Sequence, residues 1–290
     1  MILEDGLQRS SLRNNPYVQA PLSKAVKELL STISVDQSYY DRGTDNATEQ
    51  LNELLLKHRT WLLPLIDIKD FDHGYITAGA TEAINLWRLS DDREWQYLEG
   101  DYQWPQMIKA DGFETTIYNL DPNKVLYISN PSCIDGNYIS NEHIDIINEA
   151  GCPVIYDCAY VSASRSHTIN IPSNTEQIFF SFSKGFGIIG QRCGLMYSKT
   201  PHVILQPLKT VECYNYTSIH IINKLIVAFA VDQMYNSYID NQQSVCLNYN
   251  LVPSDTYFIV TSEDPYYTKR RRRGLTARLC ITLSEQPYDI

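Results

Sequence analysis

Between about residues 73 and 198, the sequence alternates short apolar runs with stretches of helical periodicity. Short apolar runs bounded by polar residues are typical of strands, and strands that alternate with helices form a mainly parallel sheet covered on both faces. The sequence therefore predicts an α/β fold. We expect strands near residues 75–76, 95–98, 115–118, 125–129, 154–156, 178–181 and 195–197, and helices at 81–89, 103–111 and 141–150.

The segments that flank this alternation predict smaller units. Helical periodicity is present at residues 20–32 and 46–58, and after Pro201 a long helix near 217–238 leads into a small α/β unit with strands near 257–261 and 277–283. A chain of 290 residues can bury a sizeable core. We expect an N-terminal arm at residues 1–45, a large domain at 46–205 and a reduced small domain at 206–290.

Composition disfavours several classes of partner. The formal net charge is −10, whereas nucleic-acid binding favours basic surfaces. The basic run at residues 269–273 is typical of a solvated loop, with nuclear targeting or phosphate binding as the alternative. The apolar stretch at residues 219–231 contains Asn223 and Lys224, so it predicts a buried helix and not a membrane span.

The cysteines and histidines indicate neither disulfides nor a metal. Seven cysteines form no C-x-x-C pair, and several lie in apolar runs, which predicts buried free thiols. An odd number of cysteines without a signal peptide favours a cytoplasmic protein. The six histidines have no metal-ligand spacing.

Residues 181–194 read S-F-S-K-G-F-G-I-I-G-Q-R-C-G and carry the strongest chemical signal in the chain. Lys184 lies where a buried strand is predicted to end, and a lysine in such a place can lose its charge and attack a carbonyl. Ser181, Ser183 and Arg192 are natural phosphate partners, and glycines let the backbone approach a ligand closely. The segment favours a lysine that bonds covalently to a phosphorylated aldehyde.

Two other interpretations use the same residues. Gly185, Gly187 and Gly190 spell G-x-G-x-x-G, but a dinucleotide motif must open a helix, and residues 194–198 predict another strand. A simple glycine-rich turn with an exposed lysine is the second alternative. Only companion motifs elsewhere in the chain can exclude that one.

One companion motif is Asp157-Cys158-Ala159-Tyr160, which follows an apolar strand. Ligands of open α/β sheets bind at the carboxyl ends of the strands, so Asp157 and Lys184 could face one crevice. A carboxylate beside a pyridine nitrogen keeps that nitrogen protonated, and Tyr160 could donate to a phenolic oxygen. A helix N-cap is the alternative role for Asp157.

Upstream, Gly79, Ala80 and Thr81 lie where a strand gives way to a predicted helix. Free N–H groups at a helix start favour a phosphate, although an ordinary capping sequence would look the same. In the next loop, Tyr102 or Trp104 could stack on a planar cofactor, or they could simply cover the core.

In this order, the motifs resemble those of fold-type-I pyridoxal-phosphate enzymes, specifically the class I and II aminotransferase family. The resemblance runs from about Tyr39 to Arg278. It implies a seven-stranded, mainly parallel large domain, pyridoxal 5′-phosphate as cofactor, and an amino acid and a keto acid as substrates. It also implies a homodimer with shared active sites, to which the N-terminal arm contributes.

The resemblance assigns a role to each candidate residue. Lys184 would form the Schiff base and shuttle the proton, Asp157 would pair with the ring nitrogen, and Tyr160 would bond the ring oxygen. Arg278 would grip the substrate carboxylate, and Tyr39 would reach the phosphate of the neighbouring subunit. The remaining cofactor contacts would come from Gly79, Ala80, Thr81, Tyr102, Ser181, Ser183 and Arg192.

One motif departs from the family pattern. Where relatives read N-P-x-N-P-T-G, this chain has Asn130-Pro131-Ser132-Cys133-Ile134-Asp135-Gly136. Cys133 replaces an asparagine that touches the ring oxygen, and a thiol is a poor donor, so Tyr160 would hold that oxygen alone. We expect an aminotransferase; a decarboxylase or lyase of the same fold, and a non-catalytic relative that keeps the cofactor, are the alternatives.

Overall fold

A computed structural model describes residues 23–33, 47–265, 272–273 and 276–280 of the chain. The helices are α1 (Lys24–Ser31), α2 (Ala47–Leu62), α3 (Ala80–Ser90), α4 (Trp104–Ile108), α5 (Asn141–Ala150), α6 (Phe182–Phe186), α7 (Leu205–Thr210), α8 (Tyr216–Ala228) and α9 (Gln233–Tyr249). The strands are β1 (His73–Thr77), β2 (Trp95–Leu98), β3 (Phe113–Thr115), β4 (Val125–Ser129), β5 (Val154–Asp157), β6 (Thr175–Ser181), β7 (Gly194–Ser198), β8 (Val252–Pro253), β9 (Ile259–Ser262), β10 (Arg272–Arg273) and β11 (Thr276–Cys280).

The main sheet of the described segments has seven strands in the order β1-β7-β6-β5-β4-β2-β3. Strands β2 to β6 run parallel to one another, and β7 is antiparallel to both β1 and β6. Ile155 packs in one apolar cluster and the adjacent Tyr156 in the other, because successive side chains of a strand point to opposite faces. The sheet is therefore covered on both faces, and the predicted α/β fold is confirmed.

The carboxyl ends of the central strands meet at one edge of this sheet. Ser129 at the end of β4 is paired with Asp157 at the end of β5, and Asp157 is paired with Phe179 of β6. The loops that follow these strands contain the Asn-Pro segment, the Asp-x-Ala-Tyr motif and the lysine motif. The parallel topology thus brings the three motifs together although about 50 residues separate the first from the last.

A second, antiparallel sheet has the order β10-β11-β9-β8. Helix α9 supports it through the buried Gln242, whose Nε2 donates to the carbonyls of Thr256 (3.0 Å) and Ile259 (2.9 Å). A set of hydrogen bonds, which we call the clasp, joins residues 255–257 to the loops of the main sheet. It comprises Tyr138 N to Asp255 Oδ2 (2.9 Å), Thr256 Oγ1 to Gly136 O (2.8 Å), Tyr257 N to Ala163 O (3.1 Å) and Tyr257 OH to Gly185 O (2.9 Å).

Two sequence predictions need correction. The single helix expected near 217–238 is two helices, because Phe229 is extended (φ −130°, ψ 136°) and its carbonyl accepts a hydrogen bond from Trp61 Nε1 (2.7 Å). The strand expected at 115–118 lies earlier, at β3, because Phe113 pairs with Gln96 of β2 and residues 116–119 form a turn.

Helix α8 covers most of the predicted buried helix, and within the described ranges no helix has the length and apolarity needed to cross a membrane. Tyr39 and residues 269–271 lie outside the described residues, as does most of the predicted N-terminal arm. The described cysteines are all free thiols; most of them are buried, but Cys213 is exposed.

Candidate active site

Lys184 does not end strand β6, as the sequence predicted, but lies within the short helix α6 that begins directly after it. Its partly buried side chain lines a cavity. Burial lowers the pKa of the Lys184 ammonium, and the nearby Arg278 guanidinium lowers it further. A lysine that loses its proton more easily is a better nucleophile toward a carbonyl.

Gly185 lets helix α6 pack directly on the 3-10 turn at Val161–Ala163. A Cβ at Gly185 would lie 2.2 Å from Ser162 Oγ and 2.4 Å from the Ser162 carbonyl oxygen, which leaves no room for any side chain. The turn at Val161–Ala163 follows Tyr160 immediately. Gly185 therefore holds Lys184 close to the Asp-x-Ala-Tyr motif.

Asp157 is 4% exposed, and both of its carboxyl oxygens accept hydrogen bonds. Oδ2 accepts from the Tyr127 hydroxyl at 2.6 Å, and Oδ1 accepts from the Ala159 amide at 3.0 Å. Burial raises the pKa of Asp157 to about 6, and the bond from Tyr127 opposes that rise. The helix N-cap alternative is wrong, because Tyr160 occupies the N-cap position of the turn that follows.

Arg278 reaches from the second sheet to the Asp-x-Ala-Tyr loop. Its Nη2 donates to the Tyr160 hydroxyl at 3.2 Å, and its Nη1 lies 3.5 Å from Cys133 Sγ. The side chain is 6% exposed, and Nε has no hydrogen-bond partner among the described residues. A buried guanidinium with spare donors can bind a carboxylate through two parallel hydrogen bonds.

Cys133 and Tyr160 meet at this point, since the Tyr160 hydroxyl lies 3.8 Å from Cys133 Sγ. Burial raises the pKa of Tyr160 well above its usual value, with the Arg278 guanidinium acting in the opposite direction. Tyr160 therefore keeps its proton at neutral pH and can donate it in a hydrogen bond.

Three groups favourable to a phosphate lie at the cavity. Helix α3 begins after Gly79, and no described side chain caps its first turn. The Arg192 guanidinium lies beside it, with Nη2 donating to the Ala78 carbonyl at 3.0 Å. Ser183 Oγ is buried and has no partner among the described residues. A helix N-terminus, a guanidinium and a hydroxyl together suit a phosphate.

Glycines make this approach of the two segments possible. Gly79 has φ +77°, and a Cβ there would lie 3.2 Å from Arg192 Nη2. A Cβ at Gly194 would lie 2.6 Å from the Gly79 Cα. Strand β7 and the start of α3 are therefore in backbone contact, which keeps Arg192 close to the helix N-terminus.

One cavity of about 330 Å³ joins these groups. Gly79 and Arg278 adjoin it through their contacts with Arg192 and Tyr160, and Tyr39 lies outside the described residues. The other predicted site residues all line it: Ala80, Thr81, Tyr102, Cys133, Asp157, Tyr160, Ser181, Ser183, Lys184 and Arg192. Trp104, the second stacking candidate, lines it as well.

The sequence did not predict the residues that hold the aromatic loop and the Asn-Pro segment in place at the cavity. The buried Asp101 accepts hydrogen bonds from the Tyr102 amide (2.6 Å) and the Ser129 amide (3.1 Å), and Ser129 Oγ accepts from the Cys133 amide (2.7 Å). Asp101 thus fixes both the aromatic loop and the Asn-Pro segment. Asp101 lies three residues after the end of β2 and directly before Tyr102, and this place is the signal that could have found it; Tyr127 lies within an apolar strand and gave none.

The described residues contain no group of three or more His, Cys, Asp or Glu side chains arranged to hold a metal ion.

Comparison with known proteins identifies the family. A sequence profile of aminotransferases of class I and II matches residues 100–245, which is 146 of the 290 residues and so half of the chain. The chain belongs to the class I and II aminotransferase family. The resemblance seen in its motifs is confirmed, and the family is one of pyridoxal-phosphate-dependent transferases.

Solved structures share the fold at low sequence identity. Alanine aminotransferase from Pyrococcus furiosus is 15% identical, with a TM-score of 0.62 over 89% of this chain and 80% of that one. A Thermus thermophilus aspartate aminotransferase double mutant is 12% identical, with a TM-score of 0.63 over 98% and 92%. L-threonine-O-3-phosphate decarboxylase from Porphyromonas gingivalis is 13% identical, with a TM-score of 0.59 over 92% and 95%. A search of curated proteins finds no match.

The residues of the cavity fit pyridoxal 5′-phosphate, the cofactor of this family. The buried Ser183 hydroxyl lacks a partner, and the start of α3 with Arg192 forms a site for an anion. Asp157 is a buried carboxyl with a raised pKa, so a cation beside it would relieve the cost of its charge. The cofactor's phosphate would complete the first two features, and its protonated ring nitrogen would complete the third.

Proposed function

We propose that this protein transfers the amino group of an amino acid to a keto acid, with pyridoxal 5′-phosphate held through Lys184. The observation that carries the proposal is the shared cavity, in which Lys184, Asp157, Tyr160 and Arg192 meet. Asp157 and Tyr160 lie at and after the end of β5, and Lys184 and Arg192 lie in the connection between β6 and β7; each has the chemistry that one part of the cofactor requires.

Bound pyridoxal phosphate supplies an aldehyde that reacts with amines and a ring that withdraws electrons from the bonds at Cα. Lys184 provides the amine that holds the aldehyde, and its lowered pKa favours the neutral, nucleophilic form. With the cofactor bound, Lys184 would be the base that holds and moves the proton of the substrate Cα. Asp157 accepts the ring N–H, and Tyr160 donates to the ring oxygen.

The remaining residues orient the reactants. Arg192, Ser181 and Ser183 hold the phosphate together with the backbone at Gly79, Ala80 and Thr81. Tyr102 covers the ring face. Arg278 would bind the substrate carboxylate, and its contacts with Tyr160 and Cys133 keep its guanidinium beside the hydroxyl that would donate to the ring oxygen. Cys133 adds only a weak donor there, so the hydroxyl of Tyr160 has the larger share of the contact.

We also propose an oligomeric state, a domain division and a cellular compartment for this protein. We infer a homodimer in which Tyr39 reaches the phosphate of the neighbouring subunit, and a division into an arm (1–45), a large domain (46–205) and a small domain (206–290). The free thiols favour a reducing compartment, the cytoplasm.

Absorption spectroscopy tests the central claim. Purified protein incubated with pyridoxal phosphate should gain a visible band that borohydride abolishes, and Lys184→Ala should lack the band. Lys199→Ala is the matched control, since Lys199 is exposed and lies outside the cavity. A wild-type protein that stays colourless would refute cofactor binding through Lys184.

A second measurement separates transamination from the alternatives. Transamination yields a keto acid and exchanges the Cα hydrogen for deuterium in heavy water, whereas a decarboxylase releases carbon dioxide without keto acid. Release of carbon dioxide, or cleavage of the side chain, would replace the aminotransferase proposal by another reaction of the same fold. Cofactor binding without turnover of any amino acid would favour the non-catalytic alternative.

A further inference from the structure

The hydroxyl of Tyr127 makes a contact that no role given above requires. It donates to Asp157 Oδ2 at 2.6 Å, the shortest side-chain contact that this carboxyl makes, and both groups are buried. Strand β4 contributes Tyr127 and strand β5 contributes Asp157, so the bond crosses between adjacent strands.

Tyr127 is held in place independently of Asp157. Its ring stacks on Trp87 of helix α3, with the centroids 5.7 Å apart and the planes at 11°. Burial and the charge of Asp157 both raise the pKa of Tyr127, so the phenol keeps its proton and acts only as a donor toward Asp157. The hydroxyl is therefore a fixed donor aimed at one carboxyl oxygen.

We propose that Tyr127 is a positioning residue that orients Asp157 and keeps the shared proton of the Asp157–cofactor pair on the cofactor's ring nitrogen. This inference rests on the proposed function only for the cofactor. The bond between Tyr127 and Asp157 exists in the protein without it.

The Asp157–cofactor pair shares one proton, which can reside on either partner. In a buried pair of a carboxyl and a pyridine, the proton lies either on nitrogen, which gives an ion pair, or on oxygen, which gives two neutral groups. Low polarity favours the neutral arrangement, whereas donors to the carboxylate favour the ion pair. Among the residues that the structure describes, Asp157 has two donors, the Ala159 amide and the Tyr127 hydroxyl, and only the second belongs to a side chain.

Other charges near Asp157 do not replace this donor. Asp101 opposes the ionisation of Asp157, and Lys184 favours it. Lys184 is the group proposed to react with the cofactor aldehyde and is itself shifted toward its neutral form by burial. Of the groups that favour an ionised Asp157, Tyr127 is the side chain that takes no part in the reaction.

Nitrogen NMR of the holoenzyme tests the proposal. Protein reconstituted with ring-¹⁵N pyridoxal phosphate should give a resonance typical of a protonated ring nitrogen. A hydrogen bond to a charged group is worth enough to change the ratio of the two proton positions about ten- to a hundredfold. Tyr127→Phe should therefore move the resonance toward that of a neutral pyridine.

Tyr197→Phe is the matched control. Tyr197 is equally buried in the same sheet, and its hydroxyl lies 2.9 Å from His58 Nδ1, not near Asp157. The control removes the same atom and should leave the nitrogen resonance unchanged. If Tyr127→Phe does not fold, a fluorotyrosine at position 127 keeps the shape, strengthens the donor and should move the proton further toward nitrogen.

A second readout needs no cofactor. In the apoprotein, ¹³C NMR of the aspartate carboxyls, with Asp157 assigned by its loss in Asp157→Asn, should show a higher titration midpoint for Asp157 in Tyr127→Phe. An unchanged midpoint together with an unchanged nitrogen resonance would overturn the role of Tyr127. Failure to bind the cofactor at all would overturn the proposed function instead, and the carboxyl titration would still decide the role of Tyr127.

Discussion

The buried carboxyl of Asp157 makes a quantitative prediction about the cofactor-free protein. Its pKa is raised from 3.8 to about 6 by burial. Asp157→Asn removes the ionisable group and keeps an oxygen that can accept from the Ala159 amide, and the amide NH₂ can donate to the Tyr127 hydroxyl. The substitution therefore removes a charge from the site with little change in shape.

The direction in which stability changes with pH follows from the direction of the Asp157 pKa shift. A group whose pKa is higher in the folded state contributes stability that is fully present below its unfolded value and is lost as the pH rises through its folded value. For Asp157 that window runs from 3.8 to about 6. A shift of roughly two units corresponds to about 3 kcal/mol across the whole window, of which about 1.4 kcal/mol falls between pH 5 and pH 8.

Urea unfolding of the wild type and of Asp157→Asn at several pH values measures the contribution of Asp157 to the pH dependence of stability. The difference in unfolding free energy between the two proteins should change by about 1.4 kcal/mol from pH 5 to pH 8, in favour of the variant at the higher pH. Taking the difference cancels the free-energy contributions of groups that titrate alike in both proteins. Parallel pH profiles would refute the reasoning, because they would mean that Asp157 titrates in the fold as it does in water.

Three further predictions concern other sites. His58 is buried and its pKa is lowered to about 3, chiefly by burial and secondarily by Arg59, so stability present above its unfolded pKa is lost as the pH falls. Relative to His58→Gln, the wild type should lose about 2 kcal/mol between pH 7 and pH 5 in urea unfolding. Gly185→Ala should cost about 1–3 kcal/mol in the same assay and weaken cofactor binding, because the Ser162 carbonyl cannot move aside; an unaltered visible band and stability would contradict this. Arg278→Lys should keep the visible band and raise KM for the amino acid about tenfold or more, since an ammonium cannot form the bidentate contact. Steady-state kinetics measures this, and an unchanged KM would contradict the role of Arg278.

The sheet and the chemistry at its edge could be predicted because each rests on a local pattern. An apolar run that ends in a carboxyl, as at Val154–Asp157, defines both a strand and the position of its functional residue. The spacing from Lys184 to Arg192 predicted a shared site for the same reason. In each case the residues that carry the signal are adjacent or a few positions apart.

Features that depend on contacts between distant segments could not be predicted. The break after Ala228 depends on a hydrogen bond from Trp61, which is 168 residues away in the chain. Tyr127 gives no sign in the sequence that its hydroxyl is buried and that its partner lies on the neighbouring strand. Polar residues acquire such roles only when the fold removes water from around them.

The clasp bears on how far a chain of this kind can diverge in sequence. Three of its four bonds end on main-chain carbonyls, those of Gly136, Ala163 and Gly185, which every amino acid provides. Only the bond from the Tyr257 amide to the Ala163 carbonyl joins two main-chain groups and is independent of both side chains, whereas the bonds to Gly136 and Gly185 require the hydroxyls of Thr256 and Tyr257. The family profile ends at residue 245, before this sheet, yet a solved structure aligns with 98% of the chain. Gly136 and Gly185 cannot vary either, because a Cβ would lie 2.4 Å from Ser254 Oγ at Gly136, where φ is +81°, and 2.2 Å from Ser162 Oγ at Gly185.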